Sequence, residues 1–304
     1  MSKAKRLMVT GGEGFLGRAF CDFLAAEDFD LFVLGRRVSS GTSKNYAVDL
    51  TRPLDVNAVV RDIKPTHVVN FASKGVTRDQ SSLADLLSVN VIGAQNLLHA
   101  LSAAACTPKV TMFGTAYEYK QSDSPIDEKH VLSPKSPYAI SKATLSYVLA
   151  QYSSRFPIDY LRLFNIYGPG EPKERLIPYL VEKAHANETV ALTAGEQLRD
   201  FMFVGDLMKI LRDLLSAPAP QLGQLRVINV GTGRANSVRN FVEIAASVLQ
   251  ENGLPVKLDL GAIPYRLEDP MRCVADNSRL MSIIGKPSIT DLRAGVELTI
   301  KELL

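Results

Sequence analysis

Three glycines near the amino terminus constrain the fold more than any other feature of the sequence. They stand at positions 11, 14 and 17, between a short apolar run and a segment with apolar residues at helical spacing. In a strand–turn–helix unit the first glycine permits the tight turn, the second lets the backbone approach a pyrophosphate, and the third allows close packing of helix on strand. Backbone N–H groups at the helix start then face the phosphates. The pattern predicts a dinucleotide site that includes Gly11, Gly14, Phe15, Leu16 and Gly17.

Apolar runs and helical patterns alternate along the first half of the chain. Strands are expected at 6–10, 29–34, 67–71, 109–113 and 158–164, and long helices at 83–105 and 138–156. Such alternation is typical of an α/β protein with a doubly wound parallel sheet of the Rossmann type.

The second half of the chain has a different pattern. After Gly168-Pro169-Gly170 many prolines separate shorter elements, which predicts a smaller and discontinuous C-terminal domain. The run 226–230 has the composition of one more core strand and is assigned to the Rossmann domain. The predicted boundaries are 1–165 and 224–254 for the Rossmann domain, and 166–223 and 255–304 for the second domain.

Composition limits the class of protein. Of the 304 residues 46% are hydrophobic and 22% are charged, which is typical of a globular chain. The net charge of +3 is too small, and no basic run is long enough, to indicate a nucleic-acid partner. No apolar stretch reaches the roughly 18 residues of a membrane span, and a strand begins almost at once, so neither a membrane partner nor a secretory leader is expected.

The positions of the cysteines and histidines argue against disulfide bonds and metal sites. Cys21, Cys106 and Cys273 are far apart and odd in number, which disfavours a disulfide framework and predicts a reducing, cytoplasmic location. The four histidines lack the spacing of metal ligands, so we expect them to be structural and no metal to be bound.

The second predicted strand ends without the acidic residue that commonly holds the ribose 2′-hydroxyl of NAD. Arg36 and Arg37 stand there instead. Guanidinium groups suit a 2′-phosphate, so the sequence favours NADP(H), with NAD(H) as the alternative if the arginines are only solvated surface residues. Asp49 and Leu50 end the next short strand and are candidates for the adenine edge, although Asp49 also suits a plain turn.

A tyrosine and a lysine stand four residues apart, at Tyr138 and Lys142, on one face of a predicted helix. A nearby ammonium group favours the phenolate and lowers the pKa of a tyrosine from its ordinary value of about 10. The phenol can then exchange a proton near neutral pH. Tyr179 and Lys183 share the spacing, but only the first pair follows a strand that ends in a hydroxyl, at Thr115. The sequence therefore favours Tyr138 and assigns Tyr179 to helix packing.

The combination of motifs resembles the extended short-chain dehydrogenase/reductases that act on nucleotide sugars, the NAD-dependent epimerase/dehydratase family. The resemblance covers nearly the whole chain. The resemblance rests on the glycine pattern, on the Tyr138/Lys142 pair, and on Thr115, which precedes Tyr119 by four residues. Later matching segments are 161–170, 195–204 with Asp206, 229–233, and Arg266 ten residues before Asp276.

The resemblance implies roles for individual residues. Tyr138 would be the catalytic acid/base, Lys142 would hold the nicotinamide ribose and tune the tyrosine, and Thr115 would hydrogen-bond the reacting sugar oxygen. The second domain would bind the nucleotide sugar. Matches to the family's remaining contacts are Ala72 and Ser73 beside the cofactor, and Asn165, Arg199 and Arg266 at the substrate diphosphate. For each of the two arginines the alternative is a surface ion pair. Asn90 matches a residue near the site, and a structural role suits it at least as well.

Two positions depart from the family pattern. The family's dehydratases usually carry Asp-Glu directly after the threonine, as acid and base for water elimination, where this chain has Ala116 and Tyr117. The difference argues against dehydration. The family often has Val-Tyr-Gly at 118–120, where this chain has Glu-Tyr-Lys, a change expected to reshape the sugar pocket. The stretches 195–204 and 261–287 are most similar to bacterial synthases that reduce CDP-4-keto-6-deoxy sugars, such as abequose and paratose synthases.

The resemblance implies an NAD(P)H-dependent reductase of a nucleotide-linked 4-keto-6-deoxy sugar. One alternative is an NAD-dependent 4-epimerase, which oxidises and re-reduces its substrate on a retained cofactor. A non-catalytic NADP-sensing regulator is disfavoured by the intact tyrosine, lysine and threonine. Relatives pair the two long helices across a two-fold axis, and apolar residues such as Val148 and Leu149 exceed what one core needs, so a homodimer is also expected.

Overall fold

The structure is a computed structural model that describes residues 5–25, 27, 29–37, 44–75, 81–265 and 269–304. The chain forms two compact units. The first comprises residues 1–118, 134–162 and 211–228, and the second comprises 119–133, 163–210 and 229–304.

The elements alternate as the sequence predicts through the first half of the chain. The described strands are β1 (Lys5–Thr10), β2 (Phe29–Gly35), β3 (Lys44–Ala47), β4 (His67–Asn70), β5 (Lys109–Thr115), β6 (Ile158–Leu163), β7 (Asn165–Tyr167), β8 (Thr189–Leu192), β9 (Leu198–Arg199), β10 (Phe201–Phe203), β11 (Arg226–Val230), β12 (Asn236–Ser237), β13 (Lys257–Leu260) and β14 (Arg272–Cys273). The helices are α1 (Phe15–Leu24), α2 (Pro53–Ile63), α3 (Leu83–Leu87), α4 (Gly93–Ala103), α5 (Pro137–Tyr152), α6 (Leu176–His185), α7 (Val204–Ser216), α8 (Val238–Glu251), α9 (Ser278–Ile284) and α10 (Leu292–Leu303).

The first unit is built on a seven-stranded sheet within the described residues, in the order β11-β6-β5-β4-β1-β2-β3. The pairs of β1 with β2 and β4, of β2 with β3, and of β4 with β5 are parallel. Met8, in the middle of β1, lies in register with Phe32 of β2 and Val68 of β4, and all three are buried. This order and direction confirm the predicted Rossmann-type α/β fold.

One helical stretch of the described chain, Leu83–Ala103, has the length and composition of a membrane span, with 21 residues. The expectation that no stretch reaches this length is therefore wrong. Half of its most apolar window is buried, and Leu97, Leu98 and Leu101 pack in the core of the first unit. That packing accounts for the apolar composition.

The second unit has its own apolar core. Helices α6, α8 and α10 pack against one another, and Phe241, Val248 and Ile300 are among the residues buried there. The strands after β6, apart from β11, form small sheets, in which β7 pairs with β10, β8 with β13, and β9 with β12 and β14. The prediction assigns residues 229–254 to the Rossmann domain, but α8 buries its apolar face in the second unit.

The remaining boundary differences also follow from burial. Residues 119–133 lie in the second unit, where the Ile126 N–H donates to the Val274 carbonyl oxygen at 2.9 Å. Residues 211–223 lie in the first unit, where the Lys109 ammonium group donates to the carbonyl oxygens of Leu214 and Ala217. The periodicity of a strand or helix shows which of its faces is buried, but it does not show which of two cores that face packs against. The domain boundaries could therefore not be predicted from periodicity alone.

Candidate active site

The glycine turn brings the backbone of two strand ends into close contact. Gly11 has a φ of +70°, and a Cβ on it would lie 2.5 Å from the backbone nitrogen of Ala72, the second residue after β4. A Cβ on Gly17 would collide with the carbonyl group of Gly11. Only glycine therefore fits at these two places, as the predicted turn and helix packing require.

A cavity of about 1570 Å³ is lined by residues at the carboxyl ends of β1, β2 and β4, and it extends along β2 to its first residues and to the end of α1. The carboxyl ends of the strands are where ligands bind in a doubly wound sheet. The cavity is lined by eight of the predicted cofactor residues: Gly11, Gly14, Arg36, Arg37, Asp49, Leu50, Ala72 and Ser73. The other five do not line it: Phe15, Leu16 and Gly17, in the first turn of α1, and Tyr138 and Lys142, in α5. The cradle at Gly11 and the cavity fit a dinucleotide, and the individual contacts stay predictions.

Two arginines and one aspartate face the part of this cavity beside β2 and β3. Arg36 and Arg37 are exposed. The Asp49 carboxylate accepts hydrogen bonds from the Thr51 N–H at 2.9 Å and the Thr51 hydroxyl at 2.7 Å. These bonds, with smaller contributions from Arg52 and Arg36, lower the pKa of Asp49. One oxygen of Asp49 is thus used within its own turn, while the arginines remain open to an anionic ligand.

Asn90 ties three segments together beside the cavity. It lies in a π-helical turn, Ser88–Ile92, between α3 and α4. Its carboxamide accepts from the Lys74 N–H at 2.8 Å and donates to the Lys74 carbonyl oxygen at 3.1 Å and to the Ser141 hydroxyl at 2.9 Å. Asn90 is buried, so the structure gives it a structural role that holds the loop after β4 against α5.

Tyr138 and Lys142 lie in the first turns of α5. The Ser136 side chain caps this helix by accepting from the Ala139 N–H, and Pro137 occupies its first position. The Lys142 Nζ lies 5.7 Å from the centroid of the Tyr138 ring. Lys142 is only 4% exposed. Burial lowers its pKa to about 8, an effect opposed by the charge of Glu118, so the lysine is predominantly a cation at neutral pH.

The second tyrosine–lysine pair shows why spacing alone is a weak signal. In α6 the Lys183 Nζ also lies 5.7 Å from the Tyr179 ring centroid. Its side chain, however, is 24% exposed and forms an ion pair with Glu188. Tyr179 packs against the core of the second unit. Burial of the cation, rather than the distance between cation and ring, distinguishes Lys142 from Lys183.

A buried network, not predicted from the sequence, links Thr115 to Lys142. Glu118 is fully buried, and its carboxylate accepts from the Thr115 N–H at 2.8 Å and from the Arg162 Nε at 2.9 Å. The Tyr160 hydroxyl lies 2.9 Å from Glu118 Oε1 and 2.7 Å from the Lys142 carbonyl oxygen. Because Thr115 ends β5 and Lys142 lies in α5, Glu118 and Tyr160 join the two elements that carry the candidate catalytic groups.

The same network bears on one expectation. The change to Glu-Tyr-Lys at 118–120 was expected to reshape the sugar pocket, and of these residues Lys120 is exposed. The Glu118 side chain, however, is fully buried with three hydrogen-bonding neighbours and offers no surface to a ligand. Tyr119 is also buried, and its hydroxyl donates to the Asn229 carboxamide oxygen at 2.7 Å. The only sequence signal for this network was the departure from Val-Tyr-Gly at 118–120.

Two of the candidate residues for the substrate diphosphate, Asn165 and Arg199, lie in the second unit. The Asn165 N–H, at the start of β7, donates to the Asp200 carbonyl oxygen at 3.1 Å. The Arg199 guanidinium is almost fully buried and donates to Asp269 at 3.0 Å and to the Pro270 carbonyl oxygen at 2.6 Å. The structure therefore shows Arg199 in internal contacts, and its contact to a diphosphate stays a prediction. Arg266 lies outside the described residues.

A model of one protein family matches most of the chain. The family described as the NAD dependent epimerase/dehydratase family matches residues 7–231. This span includes the glycine turn, the cavity residues and Thr115, Tyr138 and Lys142.

Two curated relatives align over nearly their whole length. The GDP-6-deoxy-D-talose 4-dehydrogenase of Aggregatibacter actinomycetemcomitans is 26% identical over 96% of each chain. The CDP-abequose synthase of Salmonella typhimurium is 24% identical over 98% of each chain.

Two solved structures share the fold of the whole chain. MoeE5 in complex with UDP-glucuronic acid and NAD has a TM-score of 0.86 and 26% identity, and 98% of each chain is covered. The Thermus thermophilus UDP-glucose 4-epimerase in complex with NAD has a TM-score of 0.83, also with 26% identity over 98% of each chain. The chain thus belongs to the NAD-dependent epimerase/dehydratase family, and it is an oxidoreductase of the extended short-chain dehydrogenase/reductase type.

Proposed function

We propose that this protein uses NAD(P)H to reduce the 4-keto group of a nucleotide-linked 4-keto-6-deoxy sugar. The observation that carries the proposal is the buried Lys142 cation beside the Tyr138 ring, in a helix that the Glu118 network ties to Thr115. The talose dehydrogenase and the abequose synthase, which are similar over their whole length, support this substrate class.

The groups of this chain suit the proton side of a carbonyl reduction. Tyr138 donates its phenolic proton to the carbonyl oxygen, and the Lys142 cation stabilises the phenolate that remains. The Thr115 hydroxyl donates a hydrogen bond to the same oxygen and polarises the carbonyl group. The bound dinucleotide supplies the hydride that the carbonyl carbon receives. The product is an alcohol, formed by one hydride and one proton.

The residues after Thr115 do not supply the groups that elimination of water needs. Ala116 is buried and has no ionisable group, and Tyr117 is partly exposed at 39%. Neither replaces the Asp-Glu pair of a dehydratase, so reduction is favoured over dehydration.

The assay of the proposed reduction is incubation of the protein with NADPH and a panel of nucleotide sugars. Loss of NADPH only with 4-keto sugars supports the proposal, and loss with none of them opposes it.

A 4-epimerase is the second candidate, because the Thermus epimerase shares the fold over the whole chain. An epimerase retains its cofactor and needs no 2′-phosphate on it. The arginines that follow β2 favour the reductase instead, since they line the cavity and guanidinium groups suit a 2′-phosphate. Purification with tightly held NAD, and interconversion of two sugars without NADPH loss, would favour the epimerase.

Replacement of both Arg36 and Arg37 by alanine is expected to abolish a preference for NADPH over NADH. The reason is that both guanidinium groups are exposed at the cavity and neither forms part of the core. Binding of NADPH should weaken about tenfold or more, the loss of a charge-assisted contact, while binding of NADH changes little. Titration of each dinucleotide measures this. The control is Arg61→Ala, an exposed arginine of α2 that does not line the cavity. Equal weakening of both dinucleotides would contradict the assignment.

We also propose a homodimer formed through the two long helices. The structure corrects one of the two residues invoked for it, because Leu149 is fully buried in the first unit and is not available to a partner, while Val148 is partly buried against the same core. Tyr147 of α5, 68% exposed, and Ile92, 47% exposed, are available instead.

Light scattering at micromolar concentration should therefore show a dimer, and Tyr147→Asp should shift it toward the monomer, since a charge is placed in an apolar contact. The matched control is Leu54→Asp, at an 81% exposed site on α2. A wild-type monomer, or equal effects of both variants, would contradict the proposal.

A further inference from the structure

The end of β2 carries a glycine, Gly35, where Rossmann domains commonly present the acidic side chain that holds the adenosine ribose. The space beside this glycine is occupied. A Cβ on Gly35 would lie 3.3 Å from both Cγ and Cδ of Glu13, a residue of the glycine turn 22 positions earlier in the chain. The Glu13 side chain therefore lies in tight contact with the place where a strand-end side chain would begin.

Both residues line the cavity of the proposed dinucleotide site, together with Arg36 and Arg37. The position of Glu13 is supported by the turn around it. The Gly14 N–H donates to the Gly11 carbonyl oxygen at 3.0 Å, and the Arg18 guanidinium donates to the Glu13 carbonyl oxygen at 3.1 Å. The Glu13 side chain thus projects from a hydrogen-bonded turn against Gly35 at the end of β2, in the cavity that the two arginines also line.

We propose that Glu13 takes the place of the missing strand-end acid: its carboxylate accepts a hydrogen bond from the adenosine ribose 2′-hydroxyl and so opposes Arg36 and Arg37 in the choice of cofactor. The inference rests on the proposed dinucleotide site. A carboxylate favours a hydroxyl donor and repels a 2′-phosphate, whereas a guanidinium group attracts the phosphate. With both kinds of group at one strand end, the protein binds NADH as well as NADPH, and Glu13 is the residue that retains NADH.

A simpler role for Glu13 predicts a different result. If its carboxylate only neutralised the neighbouring arginines, removing it would strengthen NADPH binding and leave NADH binding unchanged. If it accepts the 2′-hydroxyl, removing it also weakens NADH. The sign of the NADH effect therefore separates the two roles.

The test is titration of the intact protein with NADH and with NADPH, without any sugar. Glu13→Ala is expected to weaken NADH about tenfold, the lower end of the loss of a charge-assisted hydrogen bond, and to tighten NADPH. Asp55→Ala is the matched control, because it removes an exposed carboxylate of α2 that does not line the cavity. The control should change the binding of both dinucleotides little and equally.

A double variant guards against simple distortion of the turn. In Glu13→Ala/Gly35→Asp the carboxylate returns to the strand end, and the atoms that a Cβ at Gly35 would meet are those of Glu13 and the Arg37 carbonyl oxygen. NADH binding should recover to within about threefold of the wild type. Unchanged NADH binding in Glu13→Ala, or no recovery in the double variant, overturns the proposal. Failure of the wild type to bind either dinucleotide would instead defeat the proposed function itself.

Discussion

Replacing Tyr138 with phenylalanine is expected to lower turnover by about 10²–10⁴-fold, the usual contribution of general acid–base catalysis. The substitution removes one hydroxyl group and keeps the ring that packs beside Lys142 and Gly75. Folding and dinucleotide binding should therefore persist. The measurements are the rate of NADPH oxidation with a 4-keto nucleotide sugar and a dinucleotide titration of the same sample.

Tyr179→Phe provides a control of the same chemistry. Tyr179 has the same spacing to a lysine and the same ring-to-ammonium distance, but it lies in a partly exposed pair on α6. Turnover should be unchanged in this variant. Near-normal turnover in Tyr138→Phe, or equal losses in the two variants, would show that Tyr138 is not the proton donor.

Replacing Glu118 with alanine is expected to cost about 3–5 kcal/mol of unfolding free energy, the usual cost of removing one partner of a buried ion pair. The variant leaves the Arg162 guanidinium, 4% exposed, without the carboxylate at 2.9 Å. It also removes the acceptor of the Thr115 N–H. Glu118→Gln keeps an acceptor oxygen and should lose less. The measurement is the unfolding midpoint in urea, together with its slope.

Glu251→Ala is the matched control for this prediction. Glu251 also forms an ion pair with an arginine, Arg293, but at the surface of the second unit. Surface ion pairs contribute little to stability because solvent screens them. We therefore expect almost no shift of the midpoint. A shift in Glu118→Ala no larger than in this control would contradict the role given to the buried network.

Local structure was the part most accessible to sequence reasoning. Strand β5 is buried along its whole length. Its apolar run was therefore enough to predict a strand, without knowledge of what packs against it. Helix α5 begins at Pro137, after a serine cap. A capping serine followed by proline marks the start of a helix within one short segment of the sequence. Its end was placed four residues late, at 156 instead of Tyr152, because the apolar pattern continues through Phe156, which is buried after the helix.

Long-range packing was the part that the sequence concealed. Helix α8 has a clear apolar face, but the pattern does not reveal that α6 and α10 cover it. In the site, Glu118 and Arg162 are 44 residues apart, and Glu13 and Gly35 are 22 apart. A charged residue in a sequence is expected to be exposed to solvent, since most charged residues are exposed. Only the structure shows that one of these carboxylates is buried and that the other fills the space beside a glycine.

The most direct test of the account is to follow the hydride itself. The protein would be given NADPH deuterated at the transferable position of nicotinamide C4, with a nucleotide-linked 4-keto-6-deoxy sugar, and the product analysed by mass spectrometry. We expect one deuterium at sugar C4 for each NADPH oxidised. Interconversion of two sugars on a tightly held NAD, with no deuterium gained and no NADPH consumed, would contradict the account and identify a 4-epimerase.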